Sequence, residues 1–319
     1  MEKTYKLIPI PTANSYYGAK LIQKKYGLGL DLENVAEMYN VIAIPNHLDN
    51  EVEGTGMTLS EFYLKNREFF GSCKSDGFPV RAMMCNYTGM GSVHLHPTDE
   101  YGLAHDGMRG KIEGIVKRGD SSKVEHKYLG HTAKTKEEFI KMCEEKRWKE
   151  LFIEREFPYG EFHMYDYGQL HGGSRPYEGD NEDGEISSCW CTNGDLSYRI
   201  WDHDRPVSEK RQLHTQKVYD CVKIPDTDYY HTFAEEKLVN GCKVKHYYSK
   251  PGVFEAYDVI VEEKGTFQLD EFLCLTCFEG SGKVAGVDIK GGETLMVCAN
   301  YGPITIEGNI SLSVISYKD

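Results

Sequence analysis

The chain is 319 residues long, with 37 basic residues against 50 acidic ones and a formal net charge of −13. That balance disfavours nucleic acid and anionic membrane as partners, because both repel an acidic surface. The length suffices for two domains, or for one large core with an insertion.

No apolar run approaches the roughly 18–20 residues that a membrane helix needs, and near-apolar pieces such as Thr294–Ala299 are strand-sized. The first residues, MEKTYKLIPIPT, carry neither the apolar stretch nor the cleavage site of a secretory signal. The ten cysteines are expected to be reduced thiols of a cytoplasmic protein.

Twenty-two tyrosines, 32 glycines and many short alternating segments predict an all-β framework with tight turns and few helices. A short helix is expected over Ala19–Tyr26, stopped by Gly27. Thr58-Leu59-Ser60-Glu61 is a capping box opening a helix through Phe62, Tyr63 and Phe69 to Gly71. His94-Leu95-His96 then places two imidazoles at i and i+2, on one face of a strand. Two acids compete to join them: Glu100, four residues past His96, and Glu113, at the start of a predicted strand. Thr135-Lys136-Glu137-Glu138 opens another helix, with Phe139, Ile140, Met142, Cys143 and Trp148 on its apolar side.

Residues 160–171 read GEFHMYDYGQLH: a glycine, seven residues, a second glycine, two residues, then His171. HxH followed by this segment is the pattern by which neighbouring strands of a cupin barrel bring histidines to one metal. Three imidazoles, a carboxylate and an open position suit zinc, and equally Fe(II), Mn or Ni. His131, His163 and His203 are expected to be packed or surface residues. The polar segment 172–184, GGSRPYEGDNEDG, reads as a solvated loop or a lid over the metal. Cys189-Trp190-Cys191 and Cys274-Leu275-Thr276-Cys277 read as small core residues of strands rather than zinc ligands.

From about residue 225 short strands repeat: Val244–Tyr248, Phe254–Val261, Phe272–Phe278, Thr294–Ala299, Ile304–Ile306 and Leu312–Tyr317. Glu279-Gly280-Ser281-Gly282 and Lys290-Gly291-Gly292-Glu293 are the expected turns. This part holds only His231 and His246 and is expected to bind no metal. The predicted fold is mainly β, two cupin-type jelly-roll barrels. Residues 1–224 form the metal-binding domain, with helical insertions near 58–70 and 135–152, and residues 225–319 the second barrel.

Several motifs, in order, resemble the class I mannose-6-phosphate isomerases in their short bacterial form. They are Asn14-Ser15-Tyr16-Tyr17-Gly18-Ala19, Phe78-Pro79 leading to Ser92-Val93-His94-Leu95-His96-Pro97, Gly110-Lys111-Ile112-Glu113, Gly130-His131-Thr132-Ala133 and YRIWDHDR over 198–205. The resemblance runs from near Asn14 to the end of the chain. It implies one Zn2+ at the positions of His94, His96, Glu113 and His171, favouring Glu113 over Glu100; His94 stands where the family usually carries Gln. Lys111 and Arg199 match positions that line the sugar pocket, and Ser92 matches a serine implicated in phosphate contact.

The implied reaction interconverts mannose 6-phosphate and fructose 6-phosphate through an enediol(ate). Arg199 would stabilise the developing oxyanion and Lys111 would assist ring opening or proton transfer. No general base is assigned; Glu100 and Asp204 are the candidates. The family's phosphate-pocket lysine, nine residues before the serine, is Met83 here, and Arg81 on the same strand face is the candidate substitute. Weaker phosphate contact opens the substrate to other sugar phosphates or free sugars. The alternatives are a sugar-binding or regulatory cupin that keeps the metal without turnover, and another metal-dependent cupin enzyme.

Overall fold

The structure, a computed structural model, describes every residue except 1–2, 15, 89, 120–123, 175–182 and 209–210. It is mainly β. A seven-stranded sheet, built around Glu37–Val41, Val80–Tyr87, Glu113–Lys117 and Glu185–Thr192, faces a five-stranded sheet. The latter contains Val93–Leu95, Val124–His131, His171–Gly173 and Tyr198–Trp201. Together they form the first cupin-type barrel. An eleven-stranded sheet forms the second, with Leu273–Val284 and Ile304–Ser316 as its long central pair. The N-terminal strand Thr4–Leu7 joins this second sheet by pairing with Thr294–Val297.

Period-two alternation assembles the layers. Val116, Ala82, Phe162 and Trp190 turn outward from the seven-stranded sheet and pack against Phe254, Cys274, Met296 and Ile315 of the second barrel. The alternate residues Leu273, Leu275 and Cys277 fill that barrel's own interior. Cys274 and Cys277 therefore belong to different cores and do not share a site. Trp190 is fully buried in this interlayer, where truncation of an aromatic to Ala costs about 3–5 kcal/mol. All ten cysteines are free thiols.

The predicted helices form with their caps. The first spans Leu21–Tyr26 and ends on Gly27 at φ 68°. Thr58 and Glu61 make the reciprocal capping box of Leu59–Lys65, but the α-helix stops at Asn66 and a 3₁₀ turn covers Arg67–Phe70. Thr135 caps Lys136–Glu144, and Trp148–Leu151 follows as a separate turn. Two helices escaped the sequence pattern, Asp99–Asp106 and Thr215–Cys221. Neither carries a continuous apolar stripe: each buries a single residue, Gly102 and Val218.

In the second barrel, Glu279-Gly280-Ser281-Gly282 is not a turn. The strand runs through it from Leu273 to Val284, and Ile304–Ser316 is likewise one strand where two were expected. The glycines permit a close crossing instead: a Cβ at Gly280 would lie 2.0 Å from the Asn309 carbonyl oxygen, and one at Gly282 2.0 Å from that of Glu307. The polar segment 172–184 lies largely outside the described residues.

Candidate active site

Alternation along Val93–Leu95 sends Val93 and Leu95 into an apolar core, leaving His94 and His96 on the opposite face. His171 sits directly across from His94 in the antiparallel pair, and Arg199 pairs with His94 on its other side. One row across the sheet thus reads Leu129, His171, His94, Arg199. His96 closes the group, its ring 4.8 Å from that of His171 and 5.3 Å from that of His94.

Each imidazole is oriented by the same device. Nδ1 of His94 donates to the Ser92 carbonyl, that of His96 to Leu196, and that of His171 to Gln169, at 2.8, 2.8 and 3.0 Å. This fixes the tautomer and leaves every Nε2 lone pair for the common centre. Nε2 of His96 and of His171 is buried without a hydrogen-bond partner. One ligand atom from each of the three lies within 4.8 Å of the others. Orphaned, converging lone pairs of this kind fit a divalent cation of borderline character. Burial, reinforced by the neighbouring rings, pushes the imidazoles toward the neutral form: His94 is lowered to about 3 and His171 well below its ordinary value. Burial likewise lowers His96 to about 4, aided by the Lys111 charge.

Glu113 enters from the facing sheet, at the first residue of Glu113–Lys117. Its carboxylate lies 3.6 Å from His96 Nε2 and 2.6 Å from Lys111 Nζ. Burial opposes its charge, but Lys111 and His96 hold it well below the usual carboxylate range. Burial and Arg81 oppose the Lys111 charge as well, and Glu113 keeps that ammonium above its ordinary value.

His94, His171, Glu113, Lys111, Ser92, Arg81 and Arg199 all line one cavity of about 280 Å³. Arg199 donates through Nη1 to the Gln212 carbonyl at 2.8 Å, and its Nε is buried without a partner. Arg81 is committed elsewhere: Nη1 pairs with Asp195 and donates to the Gly194 carbonyl. Glu100 and Asp204 do not reach the cavity. Glu100 is exposed on Asp99–Asp106, and Asp204 is exposed while accepting from Trp201 Nε1. His131, His163 and His203 are bound to the Lys223 carbonyl, the Glu161 carboxylate and the Gly91 carbonyl respectively, away from the cluster.

No protein-family profile matches the chain. Mannose-6-phosphate isomerase ManA of Bacillus subtilis is 28% identical over 265 residues, covering 79% of each chain. The protein of the same organism named Probable mannose-6-phosphate isomerase GmuF is 26% identical over 310 residues, covering 93% of this chain and 94% of its own. In sequence the chain is thus similar to mannose-6-phosphate isomerases along most of its length. In fold, the crystal structure of the Bacillus subtilis mannose 6-phosphate isomerase matches with a TM-score of 0.85 at 24% identity, over 98% of this chain and 99% of that one. A zinc-bound mannose 6-phosphate isomerase matches with a TM-score of 0.73 at 11% identity, over the whole of both chains.

The cavity also holds residues the motifs did not reveal: Tyr165, Asp195, Glu37, Lys117, Glu125 and Lys127. Tyr165 stacks on His171 with ring centroids 4.2 Å apart, and its buried hydroxyl has no partner. Simple alternation carries the signal for Lys117: it lies two and four residues beyond Ile115 and Glu113 on one strand face.

Proposed function

We propose that the chain is a zinc-dependent aldose–ketose isomerase that interconverts mannose 6-phosphate and fructose 6-phosphate through an enediol(ate). The observation that carries this reading is the junction of three Nε2 lone pairs with Lys111 and Arg199 on one buried cavity. In our reading His94, His96, His171 and Glu113 hold the metal, whose chemistry there is that of a Lewis acid polarising the C1 and C2 oxygens.

The chain's own residues supply the rest. Arg199 stands beside His94 and presents a guanidinium that stays charged, so its donors meet negative charge as it develops between C1 and C2. Lys111, kept protonated by Glu113, is a proton donor for ring opening. The cavity wall around them is largely buried, which excludes bulk water and strengthens both contacts. Ser92 is our candidate for substrate contact; Arg81, the other candidate from the sequence, is held by Asp195 and the Gly194 carbonyl and shapes the wall instead.

We assign catalysis to residues 1–224 and a supporting role to the barrel of 225–319, where no cluster of metal-ligating side chains occurs among the described residues. No helix among the described residues is long and apolar enough to cross a membrane. We place the protein in the cytoplasm, in keeping with ten free thiols. Metal analysis of purified protein, followed by a coupled assay with mannose 6-phosphate and with free mannose, tests the proposal. Zinc-replete protein that turns over neither would refute it.

A further inference from the structure

Charges facing the cavity pair off almost completely. Arg81 pairs with Asp195, Lys111 with Glu113 at 2.6 Å, and Lys117 with Glu125 at 3.1 Å. Glu37 accepts from the hydroxyls of Tyr39 and Tyr87 at 2.9 Å each. Among the described residues lining the cavity, two cations are left over: Arg199, used by the proposed reaction, and Lys127, which shares Glu125 with Lys117 as its longer-range partner. The Lys127 ammonium lies 4.0 Å from Glu125 and 4.3 Å from the centre of the Phe157 ring, with its side chain 15% exposed.

Strand register fixes where this cation stands. Leu129 lies opposite His171, and Lys127 opposite Gly173, two residues further along. Gly173 in turn donates its backbone N–H to Gly91, beside Ser92. Lys127 and Ser92 therefore flank the same short glycine segment, displaced by roughly 7 Å from the row that carries His171, His94 and Arg199. A ligand with its reacting carbons at the histidines would extend its far end toward this pair. Met83, which also lines the cavity, adds no charge to it.

We propose that Lys127, braced by Lys117 and Glu125, anchors the phosphate of an open-chain sugar phosphate whose C1–C2 end lies at the histidines. This rests on the isomerase reading for the identity of the ligand, and on charge and register alone for the anchor. An ammonium donating to a phosphate oxygen makes a charge-assisted bond, stronger than neutral contacts. Glu125 sits between the two lysines, 3.1 Å from Lys117 and 4.0 Å from Lys127, so one carboxylate is shared by two ammonium groups and positive charge is left over.

Inorganic phosphate titrated into metal-stripped wild type, Lys127→Gln and Lys127→Arg tests the anchor, read by calorimetry and by the shift of the melting midpoint. The melting curve without phosphate reports folding of each variant. Wild type should bind; Lys127→Gln should raise Kd about ten- to a hundredfold, and Lys127→Arg should restore affinity to within a few-fold. In zinc-replete enzyme, Lys127→Gln should raise KM for mannose 6-phosphate by a similar factor while kcat falls less. Wild type that binds no phosphate, or Lys127→Gln that binds it equally well, would overturn the anchor. Should phosphate binding depend on Lys127 in a protein that isomerises no sugar phosphate, the isomerase reading falls and the anchor stands. Undiminished turnover at unchanged KM in Lys127→Gln would have the opposite meaning.

Discussion

Replacing Lys111 by Met separates the structural and catalytic sides of the site. Lys111 and Glu113 are both buried, with Nζ and Oε2 2.6 Å apart. At an effective dielectric of about 20, that separation corresponds to an attraction of roughly 6 kcal/mol, offset by the cost of desolvating both charges. Methionine fills nearly the same volume, so the loss is electrostatic: Glu113 is left as a buried carboxylate without its main partner. Breaking a buried pair from one side costs about 3–5 kcal/mol. For a chain of 319 residues, unfolding entropy converts this to a fall in melting midpoint of about 4–7 °C. The loss should appear in EDTA-treated protein and shrink markedly with zinc, because in the proposed site the metal would supply Glu113 with a new positive partner. Scanning calorimetry of wild type and Lys111→Met, with and without zinc, is the measurement. A variant as stable as wild type in EDTA would refute the assigned charge state of the pair, and a loss that zinc leaves untouched would remove Glu113 from the ligand set.

Arg199→Ala should lower kcat for mannose 6-phosphate about a hundred- to a thousandfold with zinc content unchanged, as steady-state kinetics beside metal analysis would show. Asp226 gives a pH prediction. Burial pushes its carboxyl up to about 6 against an ordinary 3.8, although it accepts from the Leu170 N–H and the Gln169 amide. The folded state therefore holds this proton more tightly. Its contribution, roughly 3 kcal/mol, is complete below pH 3.8 and is lost as pH rises through about 6. Urea midpoints across pH 4–7 should show this decline in wild type and a flatter profile in Asp226→Asn. Gly280→Ala should destabilise by at least about 2–3 kcal/mol, since φ is +74° and the new Cβ would meet the Asn309 carbonyl oxygen; a melting curve checks it.

The metal cluster was legible because its geometry is local. Two histidines at i and i+2 share a strand face whatever the tertiary fold, and the capped helices at Thr58 and Thr135 announce themselves within four residues. The place of Glu113 beside His96 was not legible by spacing alone, since Glu100 sits nearer in sequence; Thr98 caps a helix there and carries Glu100 away to solvent. The same helix, and Thr215–Cys221, bury too few residues to leave a periodic trace. In the second barrel the Gly-rich stretch at 279–282 mimics a turn, and only the facing strand, with its own Gly308, reveals a close crossing. The place of Lys127 opposite Gly173 needed the register between Val124–His131 and His171–Gly173, which no single segment encodes.

The chain as a whole is acidic, yet the cavity is not. Among the described residues, five cations, Arg81, Lys111, Lys117, Lys127 and Arg199, line it against four carboxylates, Glu37, Glu113, Glu125 and Asp195. The three imidazoles are neutral and add nothing until a divalent ion joins them. Charge on the described lining is thus slightly positive in a chain of net charge −13, a balance that favours an anionic ligand. A neutral sugar would gain little from these cations, while the cost of keeping them out of water would remain. A phosphorylated aldose uses them twice, at its fixed negative charge and at the charge that develops between C1 and C2. In the proposed reading the phosphate contact lies on the strand Val124–His131, and Met83 takes no part in it.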